Sequence, residues 1–137
     1  METHVKMKLF GIFQKKRADA TKENAAHMEE NQLVVIQFFY GIENLNELHE
    51  LERQLDSNIT SNALGKYEGH DISLDFGDGY LYFNGKNADH IFEAIKPILE
   101  QHYFMDKSIA TLRSGSFENP KAQERDFTIR FTKLLEN

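Results

Sequence analysis

The sequence predicts an α+β fold, with two helices against a single antiparallel sheet, from the pattern of its apolar residues. Residues 33–40 are apolar at nearly every position, which is typical of a strand covered on both faces. Two later segments repeat apolar residues at helical spacing, and four shorter segments have the composition or the alternation of strands. Taken along the chain, these segments give the element order β-α-β-β-α-β-β.

The first predicted helix follows the first strand closely. Gly41 ends that strand, and Asn44 can cap a helix with Glu47 three residues later, which is the spacing of a capping box. The helix then carries one apolar stripe at intervals of three and four residues, which we expect to pack against the sheet. The stripe consists of Leu48, Leu51, Leu55 and Ile59.

The next two strands are predicted to form a hairpin. Ile72, Leu74 and Phe76 alternate with polar residues as in a half-buried strand. The Gly-Asp-Gly segment at residues 77–79 is a turn signal, and residues 80–83 then continue as the second strand.

The second predicted helix begins just after Gly85. Asn87 can cap it, and Asp89 places a negative charge in its first turn, where the helix dipole favours one. Pro97 lies within the apolar pattern and is expected to kink the helix or to mark a change near its last turns. The apolar stripe consists of Ile91, Ile95 and Leu99, with Phe92 alongside.

Residues 109–113 and the alternating Phe127, Ile129 and Phe131 predict a terminal hairpin across a polar loop at residues 115–124. The complete order corresponds to a ferredoxin-like βαββαβ plait with an additional C-terminal edge strand and helices on one face of an antiparallel sheet. The other face carries Phe and Tyr side chains, which we expect to be solvated or to form a homodimer interface.

The chain of 137 residues is long enough for one domain, which we place at residues 33–134. Residues 1–32 are predicted to be a flexible basic leader and a polar linker, and either Met1 or Met7 can be the natural start. There are no cysteines, so disulfides are excluded, and no apolar run approaches the roughly 18 residues of a membrane span. We therefore expect a cytoplasmic protein whose leader associates at most weakly with a membrane surface.

Charge is distributed unevenly along the chain, which has a net charge of −6. Residues 1–17 contain five basic residues against Glu2, whereas the remainder contains 11 basic and 21 acidic residues. An acidic domain repels phosphate backbones, so nucleic-acid binding is disfavoured. A basic or neutral protein partner is electrostatically easier to bind.

His70 is the candidate for acid–base chemistry, because Glu68 and Asp71 flank it in a glycine-bounded loop. Carboxylates near a histidine can make it a general base or a pH sensor. Tyr67 and Tyr82 complete the set of candidate groups around a hypothetical pocket. Nothing in the sequence assigns a catalytic role to any of these residues.

Asp71, Asp75 and Asp78 lie close together in the sequence and are weak candidates for a surface cation site. The spacing of an EF-hand loop is absent, and the apolar residues between these aspartates favour a strand. No metal ion and no other cofactor is predicted.

Three stretches of the chain also carry a resemblance. They are residues 65–71, residues 81–99 with a proline late in the second helix, and residues 110–113 followed by Glu124-Arg125. In these stretches the chain resembles small uncharacterised bacterial proteins of ferredoxin-like fold, over residues 33–131. The resemblance implies kinship and implies no activity.

The sequence therefore favours a non-catalytic module that binds a protein or another ligand, since no catalytic machinery is evident. The alternative is a small dimeric enzyme or ligand sensor of ferredoxin-like fold that uses a pocket near His70. A pocket that encloses His70 would favour this alternative.

Overall fold

Residues 31–132 are described by the computed structural model. They form a five-stranded sheet in the order β2-β3-β1-β4-β5, with every neighbouring pair antiparallel. The elements are β1 (Gln32–Phe39), α1 (Asn46–Ser61), β2 (Lys66–Ile72), β3 (Asp78–Gly85), α2 (Ala88–Leu99), a 3₁₀ helix (Tyr103–Met105), β4 (Ile109–Arg113) and β5 (Glu124–Thr128). The predicted α+β class and element order are confirmed.

The predictions for the leader and for the two start sites concern residues 1–30, which lie outside the described residues. Gln32, which was assigned to the linker, instead belongs to β1. Among residues 31–132, neither helix is long and apolar enough to cross a membrane.

The strand β1 lies at the centre of the sheet, between β3 and β4. Its side chains alternate between two apolar clusters, so both faces of the strand are covered, as the continuous apolar run predicts. Val34, Ile36 and Phe38 face the helices, whereas Leu33 and Val35 face the opposite side of the sheet.

The main core lies between the sheet and the two helices. The predicted stripe of α1 is buried without exception, and so is the stripe of α2. These apolar stripes fix the rotation of each helix about its axis, because any other rotation would return apolar surface to water.

The start of α1 differs from the predicted capping box. The helix begins at Asn46, and no side chain caps it at Leu45. Instead, the backbone N–H of Leu48 donates to the Tyr40 hydroxyl at 3.2 Å, and that hydroxyl donates to the carbonyl of Asn44 at 2.6 Å. Tyr40, the residue after β1, therefore satisfies the N–H of Leu48, and the side chain of Asn44 accepts a hydrogen bond from the N–H of Asn46 at 2.9 Å.

The start of α2 is as predicted. The side chain of Asn87 accepts a hydrogen bond from the N–H of His90 at 3.1 Å, which is a regular N-cap. Pro97 lies in the last turn, and the helix ends at Leu99, two residues later.

The predicted boundaries of the central hairpin are wrong. The strand β2 ends at Ile72 and β3 begins at Asp78, so the turn lies at residues 73–77 instead of 77–79, and residues 73–76, predicted as strand, belong to it. Asp75 accepts hydrogen bonds there from the Ser73 hydroxyl at 2.7 Å and from the N–H of Gly77 at 2.9 Å. Leu74 is 103% exposed, so its place in the alternating pattern does not reflect burial.

The additional edge strand β5 is present, but it spans Glu124–Thr128 rather than the alternating segment that was predicted. Its helix-facing side chains contact α2. Arg125 bonds both carboxylate oxygens of Asp89 at 2.8 Å, and Phe127 stacks on Phe92 at a ring distance of 5.2 Å. Ile129 is fully buried although it follows the end of the strand.

The face opposite the helices is not solvated at its centre, which was one of the two alternatives expected for this face. Leu33, Val35, Tyr80 and Tyr82 are buried there, and Phe117 from the β4–β5 loop packs against them. Phe39, at the end of β1, is the exposed aromatic residue of this face.

We expect Leu51→Ala to lower the free energy of unfolding by about 2–5 kcal/mol, because it empties a fully buried position in the core. Leu74→Ala is the matched control, since the same atoms are removed from an exposed turn, and we expect a change within about 0.5 kcal/mol. Urea denaturation measures both. A similar loss in the two variants would contradict the turn at residues 73–77.

Candidate functional site

A β-bulge in β2 sets the geometry of the candidate site. Tyr67 pairs with Phe83 and Gly69 pairs with Tyr82, so Glu68 is an extra residue in the strand. Gly69 has a φ of +111°, a backbone conformation that residues with a Cβ atom rarely adopt. In a regular strand, residues three apart point to opposite faces.

Because of the bulge, Tyr67 and His70 lie on the same face of the sheet although they are three residues apart. Tyr67 lies opposite Phe83 and His70 lies opposite Leu81, and both partners belong to the core beneath the helices. Directly opposite residues share a face of the sheet. Tyr67 and His70 therefore both face α1.

Glu52 on α1 receives both of these side chains. Its Oε2 atom accepts a hydrogen bond from the Tyr67 hydroxyl and lies 2.8 Å from the His70 Nδ1 atom. The Glu52 side chain is 16% exposed and that of His70 is 25% exposed, so the pair is partly shielded from water. Sequence reasoning named Tyr67 and His70 but missed Glu52.

A shallow groove of about 300 Å³ lies beside this pair, between α1 and β2. Its lining residues are His49, Glu52, Arg53, Asp56 and Tyr67. The Arg53 guanidinium is ion-paired with Glu50 on the same helix. His70 does not line the groove, and its ring lies 6.4 Å from that of His49.

The shared carboxylate shifts the pKa of each group that it contacts. The hydrogen bond to Glu52 raises the pKa of His70 above 6.5, although burial acts in the opposite direction. Burial opposes ionisation of Glu52, but the hydrogen bonds from His70 and Tyr67 outweigh it and lower the pKa of this carboxyl below 4.5. Burial and the nearby carboxylate both raise the pKa of Tyr67.

The other candidate residues near His70 are directed elsewhere. Glu68, the bulged residue, lies 3.7 Å from the Lys66 ammonium. Tyr82 lies on the opposite face of the sheet, where burial and the charge of Asp71 raise its pKa. Neither Glu68 nor Tyr82 belongs to the groove.

The three aspartates that were named as weak candidates for cation ligands lie in three consecutive segments of the chain. Asp71 is in β2, Asp75 holds the turn through Ser73 and Gly77, and Asp78 opens β3. Within the described range 31–132, no three histidine, aspartate or glutamate residues are placed to hold a metal ion.

The N-terminus of α2 lies beside a second pocket, of about 310 Å³. Two of its first-turn N–H groups are already used, because Asn87 accepts from the N–H of His90 and Gln32 accepts from the N–H of Ala88 at 2.8 Å. Asp89 adds a negative charge to the same turn. The geometry therefore disfavours an anion at this helix end.

Comparisons with family models, with curated proteins and with solved structures gave no significant match. The resemblance to uncharacterised bacterial proteins therefore stays a prediction.

Titration of the imidazole resonances by NMR tests the Glu52–His70 contact. We expect a pKa above 6.5 for His70 and a downward shift in Glu52→Gln, because the substitution removes the carboxylate charge. His102 serves as an internal control, because burial lowers its pKa and Gln54, rather than Glu52, contacts it. An unchanged His70 titration in Glu52→Gln would show that the two side chains do not interact.

Proposed function

We propose that this chain is a non-catalytic binding module whose partner is a basic protein segment, and that the segment binds in the groove between α1 and β2. The supporting observation is the charge of α1 itself. Four carboxylates lie on this helix, against one basic residue, Arg53. They belong to Glu47, Glu50, Glu52 and Asp56.

The groove offers a cation two kinds of contact. Glu52 and Asp56 are four residues apart on α1, so their side chains lie on the same side of the helix. Tyr67 adds an aromatic ring to the same lining. A guanidinium or ammonium group is suited to such a lining, since it can bond a carboxylate and pack against a ring.

The position of Glu52 also favours recognition of a cation. Its Oε2 atom is held by Tyr67 and His70, and among the described residues no hydrogen bond is made to its Oε1 atom. A carboxylate that two neighbours hold in place loses little side-chain freedom when a ligand binds, which lowers the entropic cost of binding.

Acid–base chemistry at His70 is the second candidate function, either as a small enzyme or as a ligand sensor. The 2.8 Å contact between the His70 Nδ1 atom and Glu52 favours it, because a carboxylate in that position orients a catalytic imidazole. His70 is absent from the groove lining, however, so the groove favours binding over catalysis at this residue.

We further propose that the fold is a ferredoxin-like plait and that the protein is cytoplasmic. The antiparallel order β2-β3-β1-β4 supports the plait, with β5 as the additional edge strand. The lack of cysteines supports a reducing compartment. A homodimer through the sheet face stays a prediction, and exposed Phe39 is the aromatic side chain of that face that would take part.

Isothermal titration calorimetry with an octapeptide of alternating arginine and glycine tests the proposed binding. We expect measurable binding at low salt that weakens as salt is added, because screening reduces attraction between exposed charges. Asp56→Asn should weaken the binding by a factor of about two to five, the range for one exposed charge pair.

Glu118→Gln is the matched control, because it removes one negative charge from the β4–β5 loop instead of from the groove. We expect it to leave the affinity nearly unchanged. Equal weakening by the two substitutions would mean that only net charge attracts the peptide, and no binding of the peptide at low salt would rule out the proposed function.

A further inference from the structure

A titratable group, the His70 imidazole, contacts the groove wall without lining the groove. His70 contacts Glu52 at 2.8 Å but does not line the groove, whereas Glu52 does. A proton on His70 therefore alters the charge balance at the groove wall without occupying the space of a ligand.

The groups that face His70 come from three elements. From α1 these are Glu52 and His49, from β2 it is Tyr67, and from β3 the paired residue is the uncharged Leu81. Asp71 lies on the opposite face of the sheet, across from Tyr80, but its charge also raises the pKa of His70. The two carboxylates favour the imidazolium form. His49 is the other imidazole of this set, and it is exposed in the groove.

We propose that His70 regulates the groove as a proton-operated switch, in which loss of the proton strengthens the binding of a basic segment and gain of the proton weakens it. This inference rests on the proposed function. Protonated His70 compensates the charge of Glu52, and neutral His70 leaves that carboxylate uncompensated towards a bound cation.

The direction of the effect follows from the shifted pKa values. The pKa of Glu52 is lowered from 4.5, so this carboxyl is ionised throughout the neutral range. The pKa of His70 is raised from 6.5, so the switch operates above pH 6.5. By reciprocity, a basic ligand must lower the pKa of His70 and release a proton as it binds.

The test measures the affinity for the arginine–glycine octapeptide between pH 5.5 and 8.5. For the unmodified chain we expect the affinity to rise by about three- to tenfold across this range, the order expected for one nearby charge at a protein surface. His70→Gln keeps a hydrogen-bond donor but cannot become charged, so its affinity should be high and nearly independent of pH. His90→Gln, on α2, should retain the pH dependence.

The affinities of His70→Gln and His49→Gln, compared with that of the unmodified chain, distinguish the possible results. If the affinity still depends on pH in His70→Gln but no longer does in His49→Gln, the inference is overturned and the switch is assigned to His49. Binding to the unmodified chain that does not change with pH would overturn the inference while leaving the proposed function intact. Failure of the peptide to bind at any pH would overturn both.

Proton release is measured on the unmodified chain, so the test does not depend on the folding of a variant. Calorimetry in two buffers of different ionisation enthalpy gives the number of protons that are released per peptide bound. We expect a fractional release that is largest near the pKa of His70. Binding with no proton exchange at that pH would contradict the switch.

Discussion

The carboxylate of Glu52 joins helix α1 to strand β2, and the geometry of the groove depends on this contact. Its Oε2 atom accepts a hydrogen bond from the Tyr67 hydroxyl and contacts the His70 imidazole, so two side chains of the strand share a single oxygen. Burial opposes a charge at this position, but the two hydrogen bonds outweigh that cost and keep the carboxyl ionised. Without the bulge at Glu68, the two strand residues would face opposite sides of the sheet.

The hydrophobic core determines where that carboxylate lies. Leu48, Leu51 and Leu55 are fully buried, and they fix the rotation of α1 about its axis. Glu52 follows Leu51 directly, so it lies at the border of the apolar stripe, where a side chain can reach β2 and still meet water. The fold and the candidate site are therefore coupled through the packing of a single helix.

The sequence predicted the elements that local spacing patterns indicate. It predicted less about features that depend on contacts between residues far apart in the sequence. The apolar run of β1, the two helical stripes and the Asn87 cap follow from spacing alone, and the structure confirms them. The turn was predicted at residues 77–79 instead of 73–77, because exposed Leu74 completes an alternating pattern by its type and not by its burial. His70 was named for its sequence neighbours, but its hydrogen-bonded partner is 18 residues away. Gly69 is the one residue from which the sequence could have indicated the bulge that brings His70 to the helix side.

The most direct test of the shared carboxylate is a double-mutant cycle on the free energy of unfolding with Glu52→Gln and His70→Gln, at pH 5.5 and at pH 8.5. A raised pKa means that protonated His70 stabilises the fold below pH 6.5 and that this contribution is lost as the pH rises through the folded-state value. We expect a coupling of about 1–2 kcal/mol at pH 5.5 and a clearly smaller one at pH 8.5. Coupling that is absent at pH 5.5, or equal at the two values, would contradict the charged contact between these residues.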